Sequence, residues 1–579
     1  MQQCDVLVIG SGAAGLATAV TAATLGLKVV VLEKEAVLGG TSAWSGGWMW
    51  IPRNPLAVAA GIKEDIEVPR QYLRDELGDG FDPDRIDTFL ENGPEMVEFF
   101  QTRTAVRFID GNKIPDFHDT SKASGRGGRS VGSAPYDGRQ LGPLIHKLRR
   151  PLDETTLRGL AIASGQDMVH FFNASRAPKS AWYVTKRLLA FARDLIVHGR
   201  SMALVNGNAL VARLLRSALD QGVTLVTEAH VDELTQEGGR VAGARVSIDG
   251  RVDTIHARRA VVMACGGFPH DHQRQRTAFP NTPTGHEHWS AAPRGNTGDG
   301  IRLAQAAGAY FDNQPASPAA WAPVSLVHRS DGRVAHFPHL IERAKPGLIA
   351  VMRDGRRFVN EAGSYHDFIA ALIAATPEGQ PAEAWLICDH PFQRRYGLGV
   401  SKPFPFPTSP YVRSGYLNQA SSIGQLAQVC EIDAQGLAHT VSIYNAHAAQ
   451  GLDPEFGRGT TPYNRIQGDP AHSPNPCVKP IAQGPYYALR IYPGSLGTFS
   501  GIRTNALGQA LNETGELVEG LYAVGNDSAS IMAGHYPAGG ITLGPAMTFG
   551  YIIGKHLAGT PAQQASADPS NSPLQEETL

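Results

Sequence analysis

Asp5-Val-Leu-Val-Ile-Gly-Ser-Gly-Ala-Ala-Gly15 opens the chain with a strand, a tight turn and a helix start in immediate succession. The β-branched run to Ile9 predicts a short buried strand. Alanine-rich residues 16–26 predict a helix, and residues 28–32, Lys-Val-Val-Val-Leu, predict a second strand that ends at Glu33. Gly10, Gly12 and Gly15 thus stand at dinucleotide-fingerprint spacing inside a complete βαβ unit. The first glycine permits the turn. The second lets backbone approach a pyrophosphate seated on the positive helix N-terminus, and the third lets helix and strand pack closely. Glu33 is placed to accept hydrogen bonds from a ribose diol.

Working outward, Leu38-Gly-Gly-Thr-Ser-Ala-Trp-Ser-Gly-Gly47 follows Glu33 at once. Its hydroxyls and N–H groups suit the second half of an extended cofactor, which favours FAD over NAD. Arg259-Ala-Val-Val-Met-Ala-Cys-Gly-Gly-Phe268 reads as another buried strand ending in a glycine pair. Far down the chain, Gly520-Leu-Tyr-Ala-Val-Gly-Asn526 reads as a strand with a Gly-Asn turn. Gly534-His-Tyr-Pro-Ala-Gly-Gly-Ile-Thr-Leu-Gly544 is a glycine-rich approach to a flat ligand, with one aromatic hydroxyl, Tyr536.

These segments, with Asn296-Thr-Gly-Asp-Gly-Ile301, Arg357-Phe-Val-Asn-Glu361 and Phe456-Gly-Arg-Gly459, resemble the flavoprotein superfamily of fumarate reductase and succinate dehydrogenase. Within it, the chain is most similar to the 3-ketosteroid dehydrogenases, over residues 4–558. The resemblance implies an α/β fold, in which a discontinuous Rossmann-like FAD-binding domain (1–305 and 490–558) carries an inserted α+β catalytic domain (306–489), with 559–579 a disordered tail. It implies non-covalent FAD, since relatives with a covalent flavin attach it through a histidine in the loop after the second strand, and residues 34–50 contain none. The expected cofactor contacts are Gly10, Gly12, Ala13, Ala14, Gly15, Glu33, Lys34, Gly40, Thr41, Ser42, Ser45, Gly46, Gly47, Gly266, Gly525, Asn526, Thr542 and Leu543.

The same resemblance implies the chemistry. A tyrosine and a glycine at the spacing of Tyr536 and Gly540 hold the substrate ketone in the family, as preorganised donors do in an oxyanion hole. A tyrosine at the offset of Tyr365 from Arg357 is the family's proton-abstracting base. A free tyrosine is a poor base at neutral pH, so this one needs donors or positive charge around it. The family's third position, a tyrosine in an Asp-Tyr-Tyr-like stretch, is here Pro115-Asp-Phe-His-Asp119, before Gly128-Arg-Ser130. Either Phe117 or His118 stands there. His118 can donate to Tyr365 and is taken as the fourth candidate; Phe117 cannot. The implied reaction is 1,2-desaturation of a 3-ketosteroid A ring, in steroid degradation. Desaturation at the 4,5 bond and action on another cyclic ketone remain as alternatives. A fumarate-type reductase fits less well, because no arginine follows Arg503 where that class keeps its proton donor. A non-enzymatic flavin module would leave Tyr365 and Tyr536 unexplained.

Composition agrees. A chain of 579 residues predicts two domains. With 42% hydrophobic and 18% charged residues and a net charge of -2, it suits a globular enzyme and not a nucleic-acid binder. The five cysteines are scattered without metal spacing, so no metal is expected. The first strand begins directly, without room for a signal peptide, and no apolar run spans a bilayer, which predicts a cytoplasmic protein. Residues 180–200 form an amphipathic pattern with Lys186, Arg187, Arg193 and Arg200, and residues 182–197 predict peripheral contact with the inner face of a membrane. Residues 400–410 are too proline-rich for helix or central strand and predict a loop or lid. Besides a lipophilic ketone, the expected partner is an external electron acceptor of quinone or dye type.

Overall fold

The computed structural model describes residues 2–559. The tail expected from 559 onward lies outside these residues, save that Gly559 closes a helix, Leu543–Gly559.

The opening motif folds as its spacing predicts. Strand Gln2–Ile9 leads through the glycine turn into helix Ala13–Thr24, and the chain returns as strand Val29–Leu32. All four residues of the second strand are buried, which explains its unbroken Val-Val-Val-Leu run. Gly10 has φ +114°, and a Cβ there would lie 2.1 Å from the Ala264 carbonyl oxygen. Only glycine lets the turn pass this close to the neighbouring strand end.

The first strand pairs in parallel with Val29–Leu32 on one side and with Arg251–Met263 on the other. Thr224–Val226 extends the sheet beyond Val29–Leu32. Leu517–Ala523, whose residues pair with partners 260 positions earlier (Val261 with Leu521), joins Arg251–Met263 in parallel. The strands Thr224–Val226, Arg240–Ile248 and Arg251–Met263 contain short β-branched runs, the last of them ending in the buried strand expected before Gly266-Gly267. Ala229–Glu237 pairs antiparallel with Arg240–Ile248. Its burial is mixed, without a continuous apolar run. Gly10, Glu33, Cys265 and Val524 therefore leave their strands at one edge of the sheet. Strand order reverses there around the first strand, which is where ligands bind in doubly wound folds.

A second sheet is antiparallel throughout: Val334–Pro338, Ala319–His328, Tyr486–Thr498, Ala384–Cys388 and Leu348–Val351, with Asn418–Ala420 also on Tyr486–Thr498. The expected boundary at 490 falls inside this sheet's longest strand, because Ala384–Cys388 pairs with Tyr487 through Ile491. We propose that the inserted domain runs to Thr498, since a hydrogen-bonded strand is not a natural linker.

All five cysteines are free, and burial pushes the Cys4 thiol up to about 12. No helix among the described residues is long and apolar enough to cross a membrane.

Candidate active site

One cavity of about 1730 Å³ runs from the glycine turn to the second sheet. A single-ligand site is roughly 300–1,000 Å³, so this one has room for a dinucleotide and a second molecule. Every expected site residue lines it except Gly15 and His118. Gly15 lies inside the helix, where a Cβ would meet the Gly10 carbonyl oxygen at 2.2 Å; its role is packing.

The cofactor end fits FAD. At Gly12 a Cβ would meet only Ser42 Oγ, at 3.6 Å, so that glycine keeps open the space before the helix N-terminus rather than relieving a protein clash. Ser42 Oγ accepts from Ala13 N–H at 3.0 Å. Glu33 is held for a diol: its Oε2 accepts from the Ser11 N–H (3.2 Å) and hydroxyl (2.6 Å), its Oε1 from Glu35 N–H (3.1 Å). Asn296 Nδ2 donates to Thr41 Oγ1 at 3.1 Å and to the Gly266 carbonyl at 3.0 Å. The Lys34 ammonium is committed to Asp299 and Thr297. Buried Asp527 was not anticipated. It accepts from Cys265 N–H (2.6 Å) and Gly267 N–H (2.9 Å), joining two strand ends behind the site. Its position beside Gly525-Asn526 was the available signal.

The far end is aromatic. Tyr365 opens helix Tyr365–Ala375, whose N-cap Ser364 accepts from His366 N–H. Its ring centroid lies 5.0 Å from that of Tyr536, edge to face. Phe117 lies 5.6 Å from Tyr365, 5.7 Å from Tyr536 and 4.3 Å from Tyr463. Burial, then the neighbouring Tyr536, push the Tyr365 phenol well above its ordinary value, so it rests protonated. Gly540, at φ +98°, packs where a Cβ would lie 2.7 Å from the Trp48 carbonyl oxygen. Its own carbonyl accepts from Trp50 N–H at 3.1 Å.

The structure corrects the reading of His118. Phe117, not His118, faces Tyr365. Both imidazole nitrogens of His118 are occupied, Nδ1 by Glu76 and Nε2 by Asp367 at 2.7 Å. Burial alone would lower its pKa, but the two carboxylates outweigh this and bring it to about 10. At this bend the two side chains leave the loop on different sides, and only Phe117 enters the cavity. His118 instead clamps helix Glu67–Leu77 to the helix that begins with Tyr365. We expect His118→Ala to cost about 1–3 kcal/mol in denaturant unfolding at neutral pH. Because the folded pKa is raised, the stabilisation is complete below about 6.5 and is lost as pH rises through about 10. The wild-type advantage should therefore shrink across that window; an advantage independent of pH would refute the clamp.

The motifs around Arg357 and Arg458 prove to be a buried ionic frame. Arg357 pairs with Glu361 at 2.8 Å and Asp453 at 2.7 Å, and Arg458 reaches Glu361 at 3.1 Å. Burial would raise Glu361, but Arg357 and Arg458 hold it at about 2. This frame fixes the loop that delivers Tyr365.

The sequence matches the FAD binding domain family over residues 5–543. It is 39% identical over 557 residues to 4-oxocyclohex-2-ene-1-carboxylate 5-dehydrogenase of Sinomonas cyclohexanicum, covering 96% of this chain and 94% of the relative. It is 35% identical over 570 residues to 3-oxosteroid 1-dehydrogenase of Mycobacterium tuberculosis, covering 96% and 99%. The chain belongs to the 3-ketosteroid dehydrogenase family. The crystal structure of 3-ketosteroid Δ1-dehydrogenase from Sterolibacterium denitrificans in complex with 1,4-androstadiene-3,17-dione superposes with a TM-score of 0.89 at 34% identity, over 96% of this chain and 100% of that one. This family member is an FAD-dependent oxidoreductase acting on CH–CH bonds. With no histidine in residues 34–50, acid precipitation is expected to give a colourless pellet and a yellow supernatant; a yellow pellet would show a covalent link.

Proposed function

We propose that this chain desaturates the A ring of a 3-ketosteroid between C1 and C2. The observation that carries the reading is the edge-to-face pair of Tyr365 and Tyr536, buried at the end of the flavin cavity beside Gly540. Tyr536 O–H and Gly540 N–H donate to the ketone oxygen, which acidifies the adjacent C–H. Tyr365 takes the proton from that carbon, and FAD, when bound, supplies the hydride acceptor. The cavity wall beyond the tyrosines includes Met168, Phe172, Val184, Leu188, Phe337 and Leu340, a lining suited to a polycyclic hydrocarbon. The relatives named 3-oxosteroid 1-dehydrogenase support this choice of substrate.

A smaller ring ketone bearing a carboxylate is the second reading. Lys345 and Lys402 also line the cavity, and their ammonium groups rest on backbone carbonyls of Gln467, Gly468 and Glu154. An anionic ring substituent would give either lysine a charged partner. Anaerobic dye reduction followed by product analysis separates the two readings. Saturated and 4-ene 3-ketosteroids should yield 1-ene products, while 4-oxocyclohexane carboxylates should be poor substrates. The reverse order would establish the second reading, and turnover of neither would refute both.

We also propose a quinone- or dye-like external acceptor and a cytoplasmic site of action at a lipid surface. The expected helix exists as Pro178–His198. Trp182 is 63% exposed, Leu189 65%, Ile196 86% and Val197 64%. Its inner side, through Ala181, Val184 and Leu188, lines the cavity, so a lipid-borne substrate would arrive at the mouth. Lys186 and Arg193 remain available to anionic lipid. Arg200 does not: it is buried, donating to the carbonyls of Ile145 (2.6 Å) and Leu148 (2.9 Å). The protein should float with anionic liposomes at low salt; sedimentation away from them would refute the membrane contact.

A further inference from the structure

Two ammonium groups in the cavity wall have no carboxylate partner among the described residues. Lys345 Nζ donates to the carbonyls of Gln467 at 2.6 Å and Gly468 at 2.8 Å, and Lys402 Nζ donates to that of Glu154 at 3.4 Å. An ammonium carries three donors, so one on Lys345 and two on Lys402 are left over among the described residues. Burial lowers the pKa of both side chains. Carbonyl dipoles alone compensate a desolvated cation poorly.

The carboxylates nearby are already engaged. Asp469 and Glu342 face Lys345, and Glu342 and Glu154 face Lys402. Asp469 Oδ2 accepts from Arg395 Nε at 2.7 Å and from the Tyr396 hydroxyl at 2.6 Å. Glu154 pairs with Arg329. Glu342 meets His339 Nδ1 at 2.5 Å, and the other imidazole nitrogen meets Ser325 Oγ at 2.8 Å. Even with His339 neutral, one carboxylate faces two ammonium groups, and the wall is net positive. Its distance from the ketone donors follows from the contacts. Gln467 and Gly468, which hold Lys345, end helix Pro462–Gln467. Tyr463 stands four residues earlier, about 6 Å along the axis, and stacks at 4.3 Å on Phe117, which lies 5.6 Å from Tyr365. Tyr365 and Tyr536 are not among the groups that face either lysine. Lys402 opens the proline-rich loop on which Phe404 is 55% and Phe406 42% exposed, toward solvent. This separation suits an acid group at the far end of a polycyclic ketone, not one on the ketone ring itself.

We propose that Lys345 and Lys402 form an anion subsite for a carboxylate at the end of the substrate opposite the ketone, so that the preferred substrate is a 3-ketosteroid with an acidic side chain. The inference rests on the reading of Tyr365 and Tyr536 as the ketone site. The carboxylate accepts from the unused ammonium donors, and the apolar wall between the two ends covers the rings. Charge-assisted hydrogen bonds of this kind are stronger than those to neutral acceptors. The lysines take no part in proton or hydride transfer. They bind the substrate and fix which end of it enters first.

Turnover by the holoenzyme with an artificial acceptor tests the subsite on three 3-ketosteroids: one ending in a side-chain carboxylate, its methyl ester, and 4-androstene-3,17-dione. The acid should exceed the ester in kcat/KM by about 10- to 100-fold, the scale of hydrogen bonds to a charged group. The gain should lie in KM and not in kcat, because a contact remote from the chemistry holds ground state and transition state alike. Lys345→Met and Lys402→Met keep an apolar stem and remove the charge. Each should lower the acid-to-ester ratio by about 10-fold, and the double variant should bring it near one. A ratio is unaffected by a general loss of turnover; should Lys345→Met fail to fold, the wild-type ratio and Lys402→Met decide. Titration with the desaturated acid and its ester, followed in the flavin absorbance, should give the same order of affinities without turnover. Equal kcat/KM for acid and ester in the wild type, or a preference that both variants keep, would overturn the proposal. If none of the three steroids is turned over, the ketosteroid reading falls and this inference falls with it. If the neutral steroids react and the acid gains nothing, only this inference falls.

Discussion

Tyr365→Phe is expected to slow flavin reduction by about two to four orders of magnitude, the scale of losing a general base. The substitution removes one oxygen from a site that is already buried, at the start of a helix capped by Ser364 and clamped through Asp367 by His118. The ring contacts to Phe117 and Tyr536 survive it. Flavin content and the affinity for a ketone-containing product analogue should therefore stay near wild type, which assigns the loss to chemistry rather than to folding. Because burial and Tyr536 hold the phenol protonated at rest, the wild-type rate should rise with pH, and the variant should lose that rise. Reduction at the wild-type rate would place the base elsewhere. His118 would not be the substitute, since both of its nitrogens are held by carboxylates on the far side of Phe117.

The parts of the fold legible in the sequence are those whose cause is local. Gly10, Gly12 and Gly15 lie within six residues, and the clashes that a Cβ at Gly10 or Gly15 would create are with atoms of the same βαβ unit or its neighbouring strand. The cofactor loops could be read for the same reason: each leaves a strand at the same sheet edge, and a glycine marks the exit. What failed to be legible depends on partners far away in sequence. Phe117 and His118 differ only in which side of an irregular loop they occupy, and that is set by Glu76 and Asp367. Arg200 looks like a surface cation until the carbonyls of Ile145 and Leu148 enclose it. The strand Tyr486–Thr498, on which the expected boundary at 490 falls, carries Pro493, Gly494 and Gly497, and its length shows only once Ala384–Cys388 and Ala319–His328 pair with it.

Tyr536→Phe should differ from Tyr365→Phe in kind. It removes one of two donors to the ketone oxygen and leaves the Gly540 N–H, whose position is fixed because the glycine packs on Trp48 and Met49 and its carbonyl is bound by Trp50 N–H. A single oxyanion-hole donor contributes about two to three orders of magnitude, and reduction of the flavin should slow by that much. Unlike the loss of a base, this change also weakens the ground-state complex, so the product analogue should bind the Tyr536 variant less tightly than the Tyr365 variant. A second consequence follows from the resting site. Tyr536 lies 5.0 Å from Tyr365, ring to ring, and helps to hold its phenol above the ordinary value in the free enzyme, and deleting its oxygen removes that influence. The phenol of Tyr365 should then lose its proton more readily, because the interaction that favours its neutral form is gone. The pH profile of the residual activity should accordingly move to lower pH than wild type. A Tyr536 variant that binds ketones normally and keeps the wild-type profile would remove this residue from the ketone site and leave Gly540 to hold the oxygen alone.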